Sequence, residues 1–246
     1  MNLADQSVAT GNWLFRRRGY LPLVLLAVVL PGIAALRYPL GSHADDIAWE
    51  IVCLLVSGCG LALRAYTVGH APAHTSGRNT RSQVADVLNT TGAYSVVRNP
   101  LYLGNFLILL GVVAFSRDPW CVLVFSLVFW LYYERIISAE ERFLEEQFWD
   151  EFRTWAARTP AFVPRLSRWR PPALSFSLRT VLKREYPGVL ALVLAFAFQE
   201  VLGDYVARGV LMIDPLWATL LVVGVIASLV LRHLKKRTSF LEVEGR

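Results

Sequence analysis

The chain has 246 residues, is 55% hydrophobic and carries a formal net charge of +6. Its apolar residues gather in blocks close to the roughly 17–25 residues that cross a bilayer, which excludes an ordinary water-soluble globule. The positive charge is assigned to anchoring of membrane-flanking loops rather than to nucleic-acid binding. Cys53, Cys59 and Cys121 all lie inside apolar runs with neither disulfide-framework nor metal-site spacing.

Residues 1–19 are polar and end in Arg16-Arg17-Arg18. The first expected span is Tyr20–Leu36, a retained membrane helix rather than a cleaved signal because further spans follow. The second is Ile47–Tyr66, with Glu50 near its start and Arg64 near its end. Residues 68–89 are rich in Gly, Ser, Thr, His and Asn and read as a loop. His70 and His74 are four apart, but Pro72 between them rules out a helical metal pair.

The third span, Leu101–Ser116, is short, which requires tilting or packing against protein. Arg117-Asp118-Pro119 makes a tight turn into the fourth, Trp120–Ile137. Ser138-Ala139-Glu140-Glu141 reads either as a capping box or as continuation of that helix. Glu140, Leu144, Phe148 and Phe152 recur every four residues, the pattern of an amphipathic helix over 138–158. Residues 158–183 are basic and proline-rich, with Phe162, Trp169 and Phe176 interleaved, as in a segment lying at a lipid interface. Two more spans, Tyr186–Leu202 and Pro215–Leu231, precede a basic tail.

The fold class is therefore all-α: a polytopic transmembrane bundle of about six spans. Its parts are an N-terminal segment (1–19), a core (20–166), a basic interfacial linker (167–185) and an additional C-terminal pair with its tail (186–246). Basic residues concentrate in the termini, the 68–98 loop and the 138–185 region, which places that side in the cytoplasm. The same topology brings Gly92–Gly104 and Glu140-Glu141 to one face.

Pro100 suits the first turn of a helix, whose unpaired N–H groups bind an anion or carboxylate. Gly104 permits close approach of a ligand or another backbone. An acidic pair at a membrane surface needs a cation: Arg98, Arg64 or a cationic ligand.

The ordered set Gly92-x-Tyr94, Arg98-Asn99-Pro100-x-Tyr102-x-Gly104, Glu140-Glu141-x-x-Leu144-x-x-x-Phe148 and Pro160-x-Phe162-x-Pro164 resembles the isoprenylcysteine carboxyl methyltransferase family, itself related to phospholipid N-methyltransferases. The resemblance covers roughly residues 60–166, with Asn99 where the family pattern has His and Trp149 where it has Gly. It implies S-adenosylmethionine as methyl donor, held by Tyr94, Arg98, Asn99, Pro100, Leu101, Tyr102, Gly104, Glu140 and Glu141. Arg64, Arg98 and Glu141 are the expected catalytic residues: the two arginines to hold an anionic acceptor, Glu141 as a base should the acceptor be an amine.

Residues 75–80 with 88–92 resemble the bacterial branch that methylates the 1-phosphate of lipid A. The implied partner is a membrane lipid, with no metal and no nucleic acid. The implied location is a bacterial inner membrane, with termini and site cytoplasmic. Phospholipid amine N-methylation, a nicotinamide-dependent membrane reductase and a non-catalytic transport or structural protein stand as alternatives.

Overall fold

A computed structural model describes residues 3–17, 32, 43–72, 75, 85–209, 211 and 213–246. The expected first span, Tyr20–Leu36, lies outside these apart from Gly32. The described residues form six α-helices, α1 (Leu3–Arg17), α2 (His43–Gly69), α3 (Pro100–Ala114), α4 (Pro119–Ala156), α5 (Leu178–Arg208) and α6 (Pro215–Arg237), and two short 3-10 helices, Ala93–Ser95 and Leu166–Arg168. There is no strand among them, only an isolated bridge between Gly92 and Arg170. Four stretches are long and apolar enough to cross a membrane: Ile47–Gly69, Pro119–Ala156, Leu178–Val206 and Pro215–Arg237. The expected helical membrane bundle is thus the observed architecture.

Helix α3 has 15 residues, about 22 Å of rise against a hydrocarbon core of about 30 Å. Being too short to span alone, it is held by neighbours, and its most extensive packing is with α2. Small residues let the two backbones close on each other. Ser57 sits at the contact and its hydroxyl donates to the Ile108 carbonyl at 2.8 Å. From the other side, Gln199 Nε2 of α5 donates to the Val112 carbonyl at 3.0 Å.

Helix α4 runs unbroken through Ser138. The Ser138 hydroxyl donates back to the Glu134 carbonyl at 2.8 Å, so it continues the helix instead of capping a new one. Cys121, Phe125, Phe129, Tyr133 and Ile136 repeat along one face and build the core against α1 and α3. Helix α1 was legible only as a polar segment. It docks on α4 because Gly11 lets the backbones meet at Arg135 and Phe15 inserts into that core.

Trp149, within α4, has φ 41° and ψ −108°, which kinks the helix. A non-glycine residue there stores about 1–3 kcal/mol of strain. Part is offset by Arg153, whose guanidinium lies 4.7 Å from the Trp149 ring centre, a contact worth about 0.5–1 kcal/mol. Trp149→Gly is therefore expected to stabilise the protein by about 1 kcal/mol. Thermal unfolding in detergent tests this: the glycine variant should melt higher and Trp149→Ala, which keeps the strain and loses the ring, should melt lower. A glycine variant melting below the parent would refute a strained kink.

Helix α5 starts at Ser177, whose hydroxyl accepts from Thr180 N. Pro187 lies inside the helix and leaves the Lys183 carbonyl without its helical donor. Lys235 Nζ of α6 approaches that carbonyl at 3.3 Å, tying the last two helices together. At the far end of the bundle, Glu50 is buried between the Trp217 indole (3.1 Å) and Arg117 (3.6 Å). That cluster is remote from the polar site at the other end.

Candidate functional site

The polar end is built from two chain segments laid side by side. Gly92 has φ 58° and ψ −129°, a conformation that favours glycine. Its N–H donates to the Arg170 carbonyl at 3.1 Å. The Ser95 hydroxyl then donates to the Gly92 carbonyl at 2.7 Å and accepts from Arg170 N at 2.9 Å. Further along, Arg165 N donates to Val96 O and Arg98 N to Pro160 O, both at 2.9 Å. The prolines of 158–183 thus keep its first half out of a long helix, with only one short 3-10 turn at Leu166–Arg168, so its backbone is free to bond with residues 92–98.

This pairing delivers Arg98 to the acidic pair. Arg98 Nε and Nη2 donate to the two Glu141 oxygens at 2.8 and 3.1 Å, while Nη1 donates to the carbonyls of Ala156 (2.9 Å) and Thr159 (3.2 Å). One guanidinium fork therefore fastens the start of α3 to the middle and the end of α4. Asn99 Nδ2 donates to the Ala161 carbonyl at 3.1 Å and reaches Glu141 Oε1 at 3.4 Å. Its amide makes no cap on α3, so the first-turn N–H groups behind Pro100 receive no side-chain acceptor from it.

Glu140 has a separate partner: the Tyr102 hydroxyl donates to it at 2.7 Å. The Tyr102 ring packs on Tyr133 with centroids 4.7 Å apart. Burial, and then the Glu140 carboxylate, push the Tyr94 phenol well above its ordinary pKa, with Arg64 and Arg184 pulling the other way. Tyr94 is accordingly a neutral hydroxyl beside a carboxylate. Its backbone carbonyl accepts from Trp155 Nε1 at 2.9 Å.

Arg64 sits on the α2 side of the cluster and pairs with Glu185, not with the acidic pair. Gly104 gives its stem room: a Cβ there would lie 2.5 Å from Arg64 Cγ. Beyond Trp155 and Thr159 opens a cleft of about 390 Å³, whose lining includes Asp150, Glu151, Arg158, Arg168 and Arg170.

Every residue expected at the site from the sequence thus lies at this end of the bundle. Of the two cations considered for the acidic pair, Arg98 takes Glu141. Asn105, Tyr133, Trp155 and Glu185 were missed. A polar Asn105 next to Gly104 in an apolar run was a usable signal; Glu185 lay hidden in a stretch read for its arginines.

Residues 52–151 match the family model described as phospholipid methyltransferase. The chain is 37% identical over 169 residues to the cobalt-zinc-cadmium resistance protein CzcN of Cupriavidus metallidurans, covering 68% of this chain and 73% of that protein. The chain belongs to the isoprenylcysteine carboxyl methyltransferase/phospholipid methyltransferase family of membrane methyltransferases. A second relative is the nickel-cobalt-cadmium resistance protein NccN of Alcaligenes xylosoxydans xylosoxydans, 34% identical over 161 residues, 65% of this chain and 70% of that one. The match to the protein-S-isoprenylcysteine O-methyltransferase of Schizosaccharomyces pombe is shorter: 33% over 78 residues, 32% of this chain and 33% of the enzyme. No solved structure matches the chain. The matched stretch takes in Arg98, Glu140 and Glu141.

Proposed function

We propose that the protein transfers a methyl group from S-adenosylmethionine to an anionic oxygen, phosphate or carboxylate, on a membrane lipid. The observation that carries this is the Arg98–Glu141 fork beside the Tyr102–Glu140 pair, at the mouth of apolar helices and inside the family-matched region. The donor set fits the cofactor. Glu140 and the tyrosine faces suit a sulfonium and an ammonium, and the first-turn N–H groups of α3 suit a carboxylate. When bound, the cofactor supplies an electrophilic methyl group on a cationic sulfur that leaves as a neutral thioether.

The chain's own part is to hold donor and acceptor in line and exclude water. An anionic oxygen attacks with a lone pair it already has, so no general base is needed. An amine would need one, and Glu141, both of whose oxygens accept from the Nε–Nη2 edge of Arg98, is poorly placed to take a proton. The two resistance relatives favour the same choice of acceptor. Esterifying a phosphate or carboxylate removes one negative charge from a lipid, which weakens its attraction for metal cations. Because basic residues cluster at the site end, we place that end, with both termini, on the cytoplasmic side of a bacterial inner membrane.

Purified protein is incubated with methyl-labelled cofactor and total bacterial lipid, and labelled species are identified by mass. A lipid methyl ester is expected, with a lipid A-type phosphate the first candidate. A labelled amine headgroup would overturn the acceptor alone; no labelled lipid and no cofactor binding would overturn the whole assignment.

A further inference from the structure

The family match ends at residue 151, so α5 and α6 lie outside it. Helix α5 nevertheless sends Glu185 into the polar end of the core. Arg64 Nε donates to Glu185 Oε2 at 2.9 Å and Nη2 to Oε1 at 2.7 Å. Arg64 Nη1 donates to Asn105 Oδ1 at 2.7 Å, and Asn105 Nδ2 reaches the Tyr133 hydroxyl at 3.4 Å. The side chains of Arg64 and Glu185 are only 15% and 7% exposed. Gly104 opens the path along which the Arg64 stem passes α3.

A guanidinium gripped along one edge by a carboxylate and at another N–H by an amide has no rotational freedom left. Three of its five N–H groups are used in this way, and two remain to meet an oxygen anion. The Arg64–Glu185 pair is neutral as a whole, so its value to a ligand is direction rather than net charge. A buried ion pair is also weak support for stability by itself, since apolar replacements of the same volume are often as stable.

We infer that Glu185 is a positioning residue for the acceptor: it aims Arg64 at the anionic headgroup oxygen, which makes the C-terminal helical pair part of the working site. The inference rests on the methyl transfer proposed above. Glu185→Gln keeps the volume but can no longer accept from both Nε and Nη2.

The test uses the full chain in lipid nanodiscs with methyl-labelled S-adenosylmethionine and graded total bacterial lipid. Glu185→Gln is expected to raise the acceptor KM by about tenfold or more, with the cofactor Kd unchanged within about twofold. Glu185→Asp should recover part of the loss. Arg64→Lys, which keeps the charge beside Glu185 but loses the fork, should repeat the KM effect and serves if Glu185→Gln does not fold. An unchanged acceptor KM in these variants, or cofactor and acceptor affinities falling together, overturns the inference while leaving methyl transfer intact. Wild-type protein that labels no lipid overturns both.

Discussion

Arg98→Ala is expected to abolish methyl transfer and to destabilise the fold by about 3 kcal/mol, the larger part of which comes from groups left behind rather than from the lost arginine. Removing the guanidinium strands the Glu141 carboxylate and frees two carbonyls, Ala156 and Thr159, that it now satisfies. An unsatisfied buried group costs about 1–3 kcal/mol, and more when charged. Water moderates the sum here, because the Arg98 and Glu141 side chains keep 19% and 23% of their exposure. The end of α4 should then part from the start of α3, opening the cradle that both segments form.

Arg98→Lys separates charge from geometry. A lysine ammonium is a compact point charge and cannot span both Glu141 oxygens and two carbonyls together. It should melt between wild type and the alanine variant but show activity close to that of alanine. Glu141→Ala leaves Arg98 unpaired and is expected to lose cofactor affinity as well. Thermal unfolding of Arg98→Ala, Glu141→Ala and the double variant forms a cycle, with an expected coupling of about 1–3 kcal/mol. Additive losses in that cycle, or a lysine variant with full activity, would mean that the fork does not organise the site.

The described membrane helices, and the polar residues that gather at one end of them, were legible because each has a strong local signature. Apolar blocks of membrane length announce helices, and Arg98-Asn99-Pro100 before an apolar run marks a helix start whatever the rest of the chain does. The pairing of residues 92–98 with 160–170 was not legible. It consists of a few backbone hydrogen bonds between irregular segments more than 60 residues apart, and such bonds leave no periodicity in a sequence. Glu185 escaped for a related reason: its partner Arg64 is 121 residues away, while the arginines around it dominate local composition. Helix α1 was obscured because it is polar on average: its docking rests on an absence of side chain at Gly11 and on the single core residue Phe15, with Leu14 packed beside it. Trp149 is the instructive opposite. The family resemblance pointed to a glycine there, and the positive φ supplies the physical reason for that preference.

The second large effect is expected at Gly60, which has no side chain and meets the site through the backbone of Gly104. A Cβ at this position would lie 2.5 Å from the Gly104 carbonyl oxygen and 2.7 Å from Ile108 N, both backbone atoms of α3. Neither can rotate aside, so the helices themselves must separate. Gly60→Ala should therefore cost about 1–3 kcal/mol, and Gly60→Leu should prevent the pair from seating at all. One helical turn further on, Arg64 reaches across the same contact to Asn105. Pushing α2 from α3 draws that guanidinium away from the amide and from the site, so activity should fall before the protein unfolds. Gly58 is the natural control: a Cβ there meets nothing within 4 Å, and Gly58→Ala should be neutral or slightly stabilising, by up to about 1 kcal/mol, because alanine favours the helix. Melting and activity of the three variants decide the matter. Equal behaviour of Gly58→Ala and Gly60→Ala would show that close approach of α2 and α3 is not what holds the site together.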